Sequence, residues 1–170
     1  AHKKDEVSGG KGREVHLVVS DDGLDWTKIS TIRAGNWESE TTLLFEPTGH
    51  IVAFLRQKYA SPACQILEAD PPYQQWKPRP AGVPHLSGHC VHTFRGVTYV
   101  LSRTMDYATR KTGTMIYTYA GGQLRPYCEL PSGGDCSYAE AVQQGDEMLV
   151  SYYSSHEGKT SIYLAKVKLP

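Results

Sequence analysis

Apolar residues along this chain fall in short runs separated by turns, and one pattern of them occurs three times. Each copy is a short strand, a turn containing Gly, and an apolar strand that ends in a polar or aromatic residue. The copies are Thr41 to Phe45, Glu46 to His50 and Ile51 to Arg56; Cys90 to Phe94, Arg95-Gly96 and Val97 to Arg103; and Tyr138 to Val142, Gln143 to Glu147 and Met148 to Tyr153. Gly in a tight turn between two such runs predicts a β-hairpin. Further strands follow each copy: Ala63 to Glu68 with Trp76 to Arg79, Thr114 to Ala120 with Leu124 to Leu130, and Thr160 to Lys168 alone. No window carries convincing helical apolar spacing. Ala139 to Gln144 is mildly helical in composition but falls within the third copy, and so reads as strand.

A repeat of about 45 to 50 residues per four strands has the size of a β-propeller blade. Ahead of the first repeat, Val15 to Ser20 and Asp25 to Ile32 predict only the outer two strands of another blade. The predicted fold is all-β, with about three four-stranded antiparallel blades in a single partial propeller unit. Its parts are an outer half-blade at 14–33, blades at 39–80 and 86–131, and an incomplete last blade at 135–170. A ring closes with about four to eight blades. The arc is therefore expected to be completed by a second copy, by a partner, or by the N-terminal half of a longer protein. A β-sandwich of similar strand count is the competing architecture.

Composition narrows the functional classes. Eighteen Lys and Arg balance eighteen Asp and Glu over 170 residues. No basic patch marks the chain for nucleic acid or an anionic membrane. No run approaches the roughly 18 apolar residues of a membrane span, and the first residues lack the apolar core of a secretory signal. That start fits a signal already removed or a chain that begins inside a longer one. Cys64, Cys90, Cys128 and Cys136 match no zinc spacing, and buried free thiols in strands are expected. His85, His89 and His92 imply no metal by spacing and read better as structural residues or as supports behind a site; no cofactor is expected. Trp26 and Trp76, placed in outer strands, are expected in the core.

Hairpin geometry gathers chemistry at one rim. In an antiparallel pair the start of the first strand and the end of the second share an edge, so Glu40 meets Arg56. By the same rule His89 joins Arg103, and the stretch Asp135 to Tyr138 joins Tyr153 to His156. Inner strands of a propeller converge on the axis, which would place all of these around one concave mouth.

Two segments carry a family resemblance. Ser20-Asp21-Asp22-Gly23-Leu24-Asp25-Trp26 fits a short form of the Asp-box turn. There the acidic side chain caps turn amides, Gly takes positive φ, and Trp packs between sheets. It is a folding motif and says nothing of catalysis. More specific is the run from Glu40 to Arg56, with Glu and Arg sixteen residues apart, together with Gly134-Asp135-Cys136-Ser137-Tyr138 and Met148 to His156. From Glu40 to Pro170 the chain resembles the C-terminal half of the sialidase (neuraminidase) superfamily of six-bladed Asp-box propellers. The resemblance implies a glycoside hydrolase acting on terminal acidic sugars, secreted or periplasmic. It casts Tyr138 as nucleophile, Glu40 as its base and Arg56 as second member of a three-Arg cluster that grips the substrate carboxylate. Arg110 and Arg103 compete for the third place. The first Arg and the general-acid Asp of that family have no match and belong to its N-terminal blades. A Tyr suits this chemistry because the carboxylate on the anomeric carbon of sialic acid repels a carboxylate nucleophile. His89 and Asp135 complete the candidate substrate-binding residues. A non-catalytic glycan-binding propeller and a protein-interaction arc that dimerises are the competing functions.

Overall fold

The computed structural model describes residues 13–35, 38–57 and 64–170. Among these, thirteen strands form four antiparallel sheets, with no helix. The first sheet pairs β1 (Glu14–Val19) with β2 (Thr27–Ala34). The second orders β3 (Glu38–Phe45), β4 (Ile51–Gln57), β5 (Gln65–Ala69) and β6 (Lys77–Pro80) consecutively. The third runs likewise through β7 (Cys90–Phe94), β8 (Val97–Met105), β9 (Thr112–Ala120) and β10 (Gln123–Leu130), and the last joins β11 (Cys136–Gln144), β12 (Glu147–Ser154) and β13 (Ser161–Lys168). The stretch Ala139 to Gln144 is strand, as its place in the repeat demands.

Three apolar seams stack these sheets in chain order. Leu17 and Ile32 of the first sheet pack on Ala53, Leu55 and Leu67 of the second. Val52, Phe54 and Ile66 of the second meet Val100, Tyr117 and Leu124 of the third. Tyr99, Leu101 and Ile116 of the third meet Ala139, Met148, Val150 and Tyr152 of the fourth. Every middle sheet thus buries both faces, which is what radial stacking of blades requires. At one edge of the stack β7 touches both β3 and β11, so the first strands of successive sheets converge. This convergence positions the site.

Two ladders are irregular where they approach that edge. The β3/β4 register shifts between Glu38 and Thr41, and the β11/β12 register shifts between Ser137 and Glu140. A bulge re-aims side chains that strict alternation would send to opposite faces.

In the turn between β1 and β2, the Asp22 carboxylate accepts from the amides of Leu24 at 2.8 Å and Asp25 at 3.0 Å, and Gly23 takes φ 77°. Ser20 Oγ accepts from the Gly23 amide at 2.7 Å. Trp26 corrects the expectation of a core residue: it is 62% exposed. The first sheet packs on one side only, and Trp26 precedes β2 outside the seam. Trp76 is half-buried against that seam, and its indole N–H donates to Ser30 Oγ at 3.0 Å. The four thiols are free, but only Cys136 is a fully buried strand residue. Cys64 is buried just ahead of β5, and Cys90 and Cys128 are half-buried.

Candidate functional site

Glu40 lies in the β3 bulge and is the hub. Its Oε1 accepts from Arg56 Nη1 at 2.6 Å and from the Tyr138 hydroxyl, and its Oε2 accepts from the Gly88 amide at 2.8 Å. The second sheet, the loop that leads into the third and the fourth sheet each contribute to this one carboxylate. Partial burial works to raise its pKa, but the hydrogen bonds from Tyr138, Gly88 and Arg56, with the Arg56 charge, hold it below the ordinary 4.5. Glu40 is therefore ionised at neutral pH.

Tyr138 sits in the β11 bulge with φ 45°, next to Ser137 at φ 100°. Two consecutive non-Gly residues in the left-handed region store strain. Its ring is half-exposed and stacks on Tyr153, with centroids 6.2 Å apart and planes 18° apart. Its hydrogen bond to Glu40, burial and the Glu40 charge all raise the phenol above 10. The phenol is thus protonated at rest, with its proton already directed at a carboxylate. That arrangement can pass the proton to Glu40 when the oxygen attacks an electrophile.

Arg103 anchors the rim. Its Nε donates to the Cys136 carbonyl at 2.7 Å, and its Nη2 donates to Asp135 Oδ1 at 2.9 Å and to the Tyr153 hydroxyl at 2.8 Å. The Tyr153 hydroxyl in turn donates to Asp135 at 2.8 Å, and burial with that hydrogen bond pushes it up to about 12. Arg103 and Asp135 therefore fix the backbone just before Tyr138 and the ring stacked against it.

The other expected residues are placed differently. The His89 ring turns inward: Nε2 donates to the Phe54 carbonyl at 2.7 Å, while Nδ1 is buried without a partner. Burial holds His89 neutral. It joins β4 to the start of β7 and makes no hydrogen bond to Glu40 or Tyr138. Arg110 lies in the turn between β8 and β9 at φ 61°, its amide bonded to the Asp106 carbonyl. Among the described residues, its side chain forms no hydrogen bond or ion pair with Glu40, Arg56, Asp135 or Tyr138. Buried His85 shares a hydrogen bond of 3.1 Å with the Tyr107 hydroxyl. Burial first, and then Arg56, Arg103 and His89, push it down to about 4, so it is neutral.

Sequence reasoning missed Gly88. Its amide holds Glu40, and a Cβ there would lie 3.1 Å from Tyr138 Cδ2. The available signal was a glycine two positions ahead of a predicted inner strand.

No protein-family model and no curated protein matches the sequence. Solved structures do. A protein of unknown function from Dyadobacter fermentans matches with TM-score 0.77 and 20% identity, over 91% of this chain and 45% of its own. GH43B of the Bacteroides ovatus xyloglucan locus matches with TM-score 0.58 and 13% identity, over 90% of this chain and 34% of its own. An endo-arabinase from Bacteroides thetaiotaomicron matches with TM-score 0.62 and 13% identity, over 95% of this chain and 68% of its own. The chain is an arc of propeller blades in a fold that glycoside hydrolases share. It spans less than half the length of the first two structures. At these identities the likeness is one of fold, and none of the three is named for a sialidase.

Proposed function

We propose that this chain supplies the nucleophile half of a retaining glycoside hydrolase site for terminal acidic sugars of glycoconjugates. The observation that carries this reading is the Tyr138 phenol donating to Glu40 while Arg56 holds the same carboxylate. As Tyr138 Oη forms a bond to the anomeric carbon, its proton passes to Glu40 and the glycosidic bond breaks. A water then attacks the anomeric carbon and breaks the bond to Tyr138, giving its proton to the conjugate base of the acid that protonated the leaving oxygen, while Glu40 returns the phenol proton to Tyr138 Oη. Arg56 spends one N–H on Glu40, and its remaining donors suit a paired hydrogen bond to a substrate carboxylate. Arg103 acts as a positioning residue, and Arg110, in the turn between β8 and β9, takes no part in the proposed step. The acid that protonates the leaving oxygen comes from blades outside this arc, supplied by the rest of a longer protein or by a second copy.

The test is hydrolysis of a fluorogenic sialoside by the whole protein. Tyr138→Phe is expected to cut the rate by at least about 10², and an unchanged rate overturns the reading. Glycan binding without turnover is the second reading, favoured by the half-exposed Tyr138 ring stacked on Tyr153 as a face for a sugar.

A further inference from the structure

Beside the Tyr138 cluster lies a second convergence of reactive side chains, which the proposed hydrolysis does not use. Cys90 and His92 alternate along β7 and so project to one face of it. Glu140 comes from β11, at the far end of the bulge that begins at Ser137. The Cys90 sulfur, a ring nitrogen of His92 and a carboxylate oxygen of Glu140 all lie within 4.8 Å of one another. His92 Nε2 already bonds Glu140 Oε1, and the imidazole is held flat against the Phe94 ring at 5.4 Å with planes 3° apart. The Ala141 amide donates to the same carboxylate oxygen at 2.9 Å.

We propose that Cys90, His92 and Glu140 form a three-ligand site for Zn²⁺ that ties β7 to β11. An ion pair alone explains His92 and Glu140, but it gives no reason for a thiol at the same point. The donor set selects the metal: thiolate, imidazole and carboxylate together suit zinc, whereas calcium and magnesium take oxygen ligands. Tetrahedral zinc needs ligand atoms about 3.3 to 3.8 Å apart. The three ligand atoms lie within 4.8 Å of one another, at most about 1 Å beyond that spacing, with Cys90 and His92 half-buried and Glu140 exposed. With three protein ligands, the fourth position falls to water. Burial first, and then the Glu140 charge, hold the Cys90 thiol protonated, up to about 12. Binding therefore releases its proton as the sulfur becomes thiolate.

The site has a structural reach. Glu140 follows Tyr138 by two residues within one bulge, so a metal at Glu140 clamps the strained segment that aims the phenol. Spacing along the chain concealed the site, because Glu140 lies 48 residues beyond His92.

The experiment is a titration of the EDTA-stripped full chain with Co²⁺, followed by displacement with Zn²⁺. One equivalent of cobalt is expected to produce a thiolate-to-cobalt charge-transfer band and the strong visible absorption of tetrahedral cobalt. Cys90→Ser is expected to abolish the charge-transfer band, and Cys128→Ser to leave it unchanged. His92→Ala and Glu140→Gln are each expected to weaken Zn²⁺ binding at least about tenfold. Glu140 is largely exposed, so its variant tests the site even if the Cys90 variant fails to fold. No charge-transfer band at saturating cobalt overturns the proposal. So does a band that survives Cys90→Ser, or a Zn²⁺ affinity unmoved by both His92→Ala and Glu140→Gln. The readout is independent of sialoside hydrolysis, so failure of either idea leaves the other standing.

Discussion

Gly88 lies beneath the ring of Tyr138, where a Cβ would come within 3.1 Å of Cδ2 and 3.2 Å of Cε2. The residue also takes φ 52°, so a side chain there is strained as well as crowded. Gly88→Ala is expected to cost about 1 to 3 kcal/mol of stability, read from the urea midpoint. It should also tilt the phenol away from Glu40 and lower the sialoside hydrolysis proposed above with Tyr138 itself intact. A variant as stable and active as the parent would mean that the ring does not rest where it is placed.

Glu40 sets an acid limit on stability. Its folded pKa is depressed below 4.5, so its contribution is fully present above that value and is lost as pH falls through the folded one. Against Glu40→Gln, the parent's advantage in urea melts should be constant from pH 7 to about pH 5 and shrink below 4.5. An advantage that grows on acidification would contradict the ion pair with Arg56.

His85 acts in a different window. Its pKa of about 4 lies below the ordinary 6.5, so between these values the unfolded chain takes up a proton that the folded chain refuses. Its contribution is complete above pH 6.5 and falls away towards pH 4. Replacing it in His85→Gln should flatten the stability profile over that interval while leaving the slope below it, to which Glu40 contributes together with Asp22 and Asp106. Urea melts at half-unit pH steps separate the two.

Arg103 and Arg110 should part company. Arg103→Lys keeps the charge but loses the Nε bond to Cys136 and the paired use of Nη2. A loss of about 1 to 3 kcal/mol is expected from such charge-assisted bonds. Arg110→Lys, in an exposed turn, should stay within about 0.5 kcal/mol. Thermal melts of the two variants side by side check the ranking.

The sequence carried the strands because their signals are local: alternating apolar positions and glycine turns fix β7 at Cys90 to Phe94, as expected. Hairpin geometry likewise brought Glu40 to Arg56. What it could not carry were the bulges at Glu38 to Thr41 and Ser137 to Glu140, since one extra residue in a strand leaves no mark in the apolar pattern. The place of His89 just ahead of the second copy of the repeat is legible in the chain, whereas the turn of its ring onto the Phe54 carbonyl depends on the packing of β4 against it. Trp26 was buried on the strength of a motif whose turn is already satisfied by Ser20 and Asp22 without the indole.

Tyr138 and Glu40 are 98 residues apart in the chain and belong to sheets with a whole four-stranded sheet between them. Their contact closes a loop of 98 residues, whose entropy cost the packing of the sheets between them offsets. The phenol and carboxylate are thus a built-in gauge of the folded state: they meet only when the intervening sheet is in place. A lesion that loosens it, however distant from the rim, separates the two groups.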